Sequence, residues 1–345
     1  MGIKDLGTFV KKNDLDCYFE KPLSVFAGKI VGFDALNIVC TTIPSVVQTV
    51  IEKKENFLEE ISPEEISNLV EKRIMSLNKK FLERDVIPLW IWDGESKGNK
   101  GDTQAERRKQ RAKNREKRAV LYTELKNMDP LEITPEKEKT YKNLVSTTTF
   151  IPKETMKRIK TITTDLGIPT ITAEDEAENL ASSLAVEGKI SAVYSTDTDT
   201  YPLGAPRVIK KLIHKENDVY VSGVLPYKIV EGLDLTFPEF RDMCIMFGTD
   251  FNDRIHRIGP KKSLEMIRRF KNLETIEQNT KHNLTFMNYK EVRKQLTPYT
   301  TYYQPEDHLK LKKCYDQDFI DSICQKYPHL DINSLFSVIN SVISE

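Results

Sequence analysis

The chain has 345 residues, 39% of them hydrophobic and 30% charged, which suits a soluble protein with a sizeable core in one large domain or two modest ones. No apolar run reads as long enough to span a bilayer, the N-terminus lacks a secretory pattern, and five scattered cysteines without a Cys-x-x-Cys pair argue against a zinc site or disulfide framework, so an intracellular setting is expected, its compartment left open between a nucleus and a cytoplasmic replication site. Basic and acidic residues balance at 52 each, so recognition of a polyanion would have to come from charge concentrated locally.

In chain order, Met1, Gly2 and Ile3 lead into a short helical stretch, and residues 29–33 form an apolar strand that ends at Asp34. Residues 42–84 read as mostly helical. Residues 86–92 are a second apolar strand, ending at Asp93 and Gly94. The character then changes: residues 97–118 hold ten Lys or Arg against three acids, in a helix-compatible run with few apolar residues to pack. By default such a run is a solvated helix; its more specific use is to hold nucleic-acid phosphates. Residues 120–172 continue as helices broken near Pro130, Pro135 and Pro152.

The stretch from Ala173 to Thr200 organises the rest. Leu180, Ala181, Leu184 and Ala185 recur at helical spacing, and Gly188 ends that helix. Residues 190–194 form a short apolar strand leading to Asp197 and Asp199, which project together if the segment stays extended. The helix itself opens with Glu174, Asp175, Glu176 and Glu178. Glu176 and Glu178, two apart, cannot share a face of a regular helix, so at least one reaches a common site from its unwound start. Taken singly, each acid has an ordinary explanation in helix dipoles, turns or solvation. Three strands that end in aspartate are different, because a parallel sheet gathers its strand ends on one edge. Oxygen-only ligands there suit a hard cation such as Mg²⁺ or Mn²⁺.

Beyond the centre, residues 207–237 read as short strands and turns, and 238–250 as a helix ending at Gly248, Thr249 and Asp250. A turn through Ile258, Gly259, Pro260, Lys261 and Lys262 precedes a helix to Phe270, presenting N–H groups and lysines to phosphates. The remainder is helical and polar, with a loop around 297–305.

These motifs resemble, over essentially the whole length, the flap endonucleases of the structure-specific five-prime nuclease (XPG/RAD2-like) family. The likeness rests on Met1-Gly2-Ile3, Asp34, Trp92-Asp93-Gly94, Glu176-Ala177-Glu178, Thr196-Asp197-Thr198-Asp199, Gly248-Thr249-Asp250 and Ile258-Gly259-Pro260-Lys261. It implies an α/β fold: a central, mostly parallel sheet flanked by helices (the PIN-like five-prime nuclease fold), with a helical arch and a helix-hairpin-helix type DNA-binding region. The expected division is a nuclease region over 1–96, arch and cap over 97–172, a second nuclease region over 173–250, and a DNA-binding region over 251–345. A two-metal site (Mg²⁺, replaceable by Mn²⁺) is implied at Asp34, Asp93, Glu176, Glu178, Asp197, Asp199 and Asp250, with Lys100 and Arg107 as catalytic cations. Gly2, Arg108, Arg111, Arg257, Gly259, Lys261 and Lys262 are the expected DNA contacts.

The implied activity is metal-dependent cleavage of branched DNA carrying a five-prime single-stranded flap, with five-prime-to-three-prime exonuclease action alongside, by a monomer. The alternatives are a non-catalytic junction-binding protein and a PIN-like RNase. Three positions depart from the family. Cys40 stands where a base-stacking tyrosine is usual. Arg257 replaces the first glycine of the 255–260 turn, where a K⁺ site is implied. The C-terminal region lacks the motif of sliding-clamp partners, so clamp binding is not expected. A compact, divergent form of this kind suits a large DNA virus or a protist.

Overall fold

The structure, a computed structural model, describes residues 2–94, 101–216, 218–303, 310–311 and 316–344; the side chains of 101–107 and 344 lie outside that description. The run Val86–Trp92 is apolar throughout because the strand it forms, β3, is covered on both faces. Leu89 and Ile91 enter one core and Trp90 and Trp92 the other, the alternation a pleated strand imposes. Its neighbours are β1 (Tyr18–Pro22), β2 (Lys29–Asp34), β4 (Thr170–Thr172), β5 (Ala192–Tyr194), β6 (Val208–Lys215) and β7 (Asp218–Val224).

The seven strands make one sheet in the order β1-β7-β6-β5-β2-β3-β4. The run from β6 to β4 is parallel, while β7 pairs antiparallel with both β6 and β1. The expected mostly parallel sheet is therefore present, with an antiparallel margin that 207–237 supplies as a hairpin. That stretch also contains a helix, α8 (Pro226–Gly232), absent from the sequence reading. Strand β5 starts at Ala192, two residues later than expected.

Helices cover both faces. On one lie α1 (Leu6–Lys12), α7 (Ala177–Val186), α8, α9 (Phe237–Phe247), α10 (Pro260–Phe270), α11 (Leu273–Asn279) and α12 (Tyr289–Gln295). On the other lie α2 (Ala35–Lys53), α3 (Pro63–Leu82), α5 (Pro135–Thr148), α6 (Lys153–Asp165), α13 (Gln317–Lys326) and α14 (Ile332–Ser344), with α4 (Gly101–Lys126) reaching over from the end of β3. Helix α2, 19 residues with mean hydropathy 1.3, does have the length and composition of a membrane span, which corrects the expectation that no run is long enough. Its Val39, Val46, Val47 and Val50 are buried in the core shared with α3 and the sheet, and that burial accounts for the apolar sequence.

Segment 251–345 divides between the two faces. Helices α10 to α12 stay beside α9, where Arg293 of α12 pairs with the buried Asp242 at 2.7 and 2.8 Å and with Glu274 at 2.8 and 2.9 Å. Helices α13 and α14 cross to the other core. There Lys326 and the Tyr327 hydroxyl reach Asp165 at 2.8 and 3.0 Å, and His329 lies 2.7 Å from the fully buried Glu71 of α3. Arg158 of α6 holds the other oxygen of Glu71 at 2.7–2.8 Å. Removing the arginine leaves a buried carboxylate with His329 alone beside it, whereas neutralising the carboxylate leaves an arginine free to turn to water. Arg158→Ala should therefore cost about 2–3 kcal/mol in urea unfolding and Glu71→Gln less; the reverse ranking would refute this account of the cluster.

Candidate metal centre and nucleic-acid interface

Strands β5, β2 and β3 are adjacent and parallel, so their carboxyl ends deliver Ser195 to Asp199, Asp34 and Asp93 to one edge. Each acid there also has a structural task. Asp34 caps α2 by accepting from the Asn37 N–H at 3.2 Å, and its other oxygen accepts from the Ser195 hydroxyl at 2.7 Å. Asn37 in turn accepts from the backbone N–H and the hydroxyl of Thr196, both at 2.9 Å, tying α2 to the end of β5. Asp93 accepts from the Ala177 N–H at 2.8 Å and so caps the start of α7 from across the sheet. Glu176 is the extended N-cap residue of α7 and Glu178 lies in its first turn, the unwinding that their spacing required. As a result, carboxylate oxygens of Asp93, Glu176 and Glu178 lie within 4.8 Å of one another.

Asp197 and Asp199 reach this edge differently from the sequence expectation. The chain beyond Tyr194 does not remain extended; it turns. The Asp197 N–H donates to the Ser195 hydroxyl at 3.0 Å, the Asp199 N–H to Asp197 Oδ1 at 3.2 Å, and the Thr200 hydroxyl to the Asp197 carbonyl at 2.7 Å. Local side-chain bonds of this kind replace ladder bonds and set where both carboxylates go. Gly2 closes over them with φ 85°; a Cβ there would come 2.0 Å from Asp197 Oδ1 and 2.6 Å from Asp199 Oδ1, so only glycine fits. The Lys4 N–H donates to the Gly248 carbonyl at 3.0 Å, and Asp250 follows in a turn braced by Thr249 and Asn252.

Burial pushes the Asp34 carboxyl up to about 7, with the charges of Asp93 and Asp197 adding to it against the Ser195 hydrogen bond. Burial, then the charges of Asp34, Asp197, Glu176 and Asp199, hold Glu178 well above the usual carboxylate range. Buried, mutually repelling oxygen donors fit a hard divalent cation, whose charge removes the repulsion. A contribution that sequence reasoning missed is Lys210 of β6. It donates to the Asp197 carbonyl at 3.1 Å, and burial lowers it to about 8 although Asp197, Asp34 and Asp199 favour its charge. Nothing in the alternation of β6 distinguishes Lys210 from Lys211. Beyond Asn37 it joins Arg73, Lys80, Thr41, Thr42 and Ser45 in a polar cleft.

Of the expected cations, Lys100 lies outside the described residues, and Arg107 is placed on α4 with its side chain outside them. Arg108 and Arg111 are exposed on α4. At the second basic feature, Gly259 is the N-cap residue of α10, and Lys261 and Lys262 stand exposed in its first turn. Arg257 adopts φ 60°, so the turn keeps the left-handed backbone a glycine would supply and the departure changes only the side chain.

The structure thus combines a parallel-sheet acid edge, a basic helix α4 and exposed lysines at the start of α10. The family model of the XPG I-region matches residues 167–250. Flap endonuclease 1 of Heterostelium pallidum is 28% identical over 81% of this chain and 68% of its own length. Flap endonuclease 1-B of Physcomitrium patens is 29% identical over 81% of this chain and 75% of its own. Among solved structures, flap endonuclease-1 from Methanococcus jannaschii superposes with a TM-score of 0.61 at 21% identity, covering 94% of this chain and 96% of that one. The catalytic core of Rad2 in complex with DNA substrate gives 0.60 at 15% identity over 99% and 100%; both superpositions bear on the fold. The chain thus carries an XPG I-region and is similar to flap endonucleases over about four fifths of its length.

The raised carboxyls have a measurable consequence. A folded-state value above the ordinary 3.8 means that Asp34 contributes fully to stability below that pH and loses the contribution as pH climbs to about 7. In metal-free protein, Asp34→Asn should raise stability at pH 8 by on the order of 1–2 kcal/mol and change it little at pH 4. Urea unfolding in EDTA at the two pH values checks this, and a net loss at pH 8 would contradict it.

Proposed function

We propose that the protein is a divalent-metal-dependent endonuclease that cuts branched DNA at a five-prime single-stranded flap, with five-prime exonuclease action on the same centre. The observation that carries the reading is the convergence of Asp93, Glu176 and Glu178 within 4.8 Å, beside Asp34, Asp197 and Asp199, where three adjacent strands end. Mg²⁺ or Mn²⁺ held by these carboxylates, two ions in the full site, would supply Lewis-acid polarisation of the scissile phosphate and a nucleophile at neutral pH. Asp250 joins the ligand set from the turn after α9.

The chain's own residues do the rest. Glu178 and Asp34, buried and raised, give up their protons as a cation arrives. Lys210 backs Asp197 from behind and limits the net charge of the edge. Lys100 and Arg107 of the basic run neutralise charge on the phosphate. Arg108 and Arg111 carry the flap backbone. Gly2 lets the N-terminal segment approach the strand's path closely. Gly259, Lys261 and Lys262 grip a duplex phosphate at the start of α10, with Arg257 beside them and K⁺ as the cation of that turn. The active species is a monomer that works where DNA is replicated or repaired.

The test is end-labelled double-flap DNA with Mg²⁺, alongside matched RNA and three-prime-flap controls. Cutting of the RNA alone would favour a PIN-like RNase, and binding without cutting would favour a junction-binding protein. Glu178→Gln and Asp197→Asn should each slow single-turnover cleavage by about 10³-fold, or ~4 kcal/mol of barrier, while junction affinity changes little. Cleavage within tenfold of wild type would remove those residues from the metal site. If α4 to α6 bridge the edge, a bulky block placed on the five-prime end before mixing should abolish cutting, whereas the same block added to a preformed metal-free complex should leave it able to cut.

A further inference from the structure

Helix α4 carries Arg111, Arg115 and Arg118 at spacings of four and three, which places them on one face. That face leans on the joint between α5 and α6. Arg118 donates to the Thr148 hydroxyl at 3.3 Å, and the guanidinium carbons of Arg111 and Arg115 lie 5.3 and 5.1 Å from the centre of the Phe150 ring. The same spacing run back by four residues reaches position 107.

Phe150 is 43% exposed, although Ile151 beside it packs into the core. Single exposed apolar residues are ordinary on protein surfaces. Among the described residues, however, Phe150 is the exposed ring faced by two guanidinium groups. Arg111 also bears on the acidic edge. The Cys40 thiol of α2 is raised chiefly by burial; Arg111 opposes that shift, while Asp34 and Asp93 add to it. Both arginines lie on the helix that follows β3 and Asp93 in the chain. Cys40 itself presents no π face.

We propose that Phe150 is a base-stacking platform for one nucleobase of the single strand leaving the acidic edge, with Arg111 and Arg115 taking the phosphates on either side. A ring stacks any base, and guanidinium groups over its faces can swing to the flanking phosphates as the base enters. The arrangement suits a single strand of any sequence and has nothing to offer a stacked duplex. It deepens the flap reading above and rests on it.

The test is a cycle between protein and substrate. Affinity for double-flap DNA is measured by fluorescence anisotropy in Ca²⁺, with an abasic site moved along the flap one nucleotide at a time. Wild type should lose roughly tenfold affinity at one position. In Phe150→Ala that abasic site should cost nothing further, and unbranched duplex should bind as before. Phe150→Trp should restore the penalty; Phe150→Leu, which keeps apolar bulk without a π face, should not. A penalty that persists in Phe150→Ala, or is restored by Phe150→Leu, overturns the platform and leaves the ring a spacer for the arginines. Mg²⁺ cleavage by wild type in parallel separates the two readings. Cleavage without any position-dependent penalty overturns the platform alone, and no cleavage of any flap overturns both.

Discussion

The structure depends on holding together carboxylates that repel one another. Asp93, Glu176 and Glu178 approach within 4.8 Å, and Asp34 and Glu178 are buried among like charges. Several of these acids are also fixed by the fold. Asp34 caps α2, Asp93 caps α7, and the Asp197 turn is closed by Ser195 and Thr200. The α2 cap and the Asp197 turn are local, while the Ser195–Asp34 bond requires β5 and β2 to be neighbours in the sheet.

The zero net charge of the chain hides a strong separation. Carboxylates gather at the strand ends, while cations gather on α4 and at the start of α10. A polyanion suits the cations and hard cations suit the carboxylates. Lys210 is the exception: half-buried beside Asp197, it donates to the Asp197 carbonyl from within the acidic edge.

Much of this was legible because β2 and β3 are long enough to declare themselves. An unbroken apolar run ending in aspartate has few readings, and the wound and unwound parts of the 174–186 segment followed from the spacing of its acids and leucines. Other features left no signal. Three-residue β4 is too short for any period, and β1, with Glu20 and Lys21, has the polar look of an edge. Asp197 and Asp199 do face one point beneath Gly2, but the path was misread because period-two logic holds only while the backbone bonds to neighbouring strands; here serine and aspartate side chains bond to their own segment instead. Arg257 looks like a disruption in sequence, yet its backbone at φ 60° adopts the glycine conformation. The difference between Lys210 and Lys211 belongs to tertiary burial, which a single strand cannot encode.

The Glu71 cluster has a bearing on how the chain is made. Its two outer partners are separated along the chain, with His329 258 residues beyond Glu71. At a ribosomal rate of 5–20 residues per second, roughly 10–50 s pass between the emergence of α3 and that of its last cover. Over that interval the outer side of α3, with Ile74, Met75 and Glu71, waits uncovered by α13 and α14 while the sheet can already assemble. The newborn protein is therefore most exposed to chaperones and proteases on the face away from its acidic edge, and a truncated product would carry a formed edge on an unfinished body.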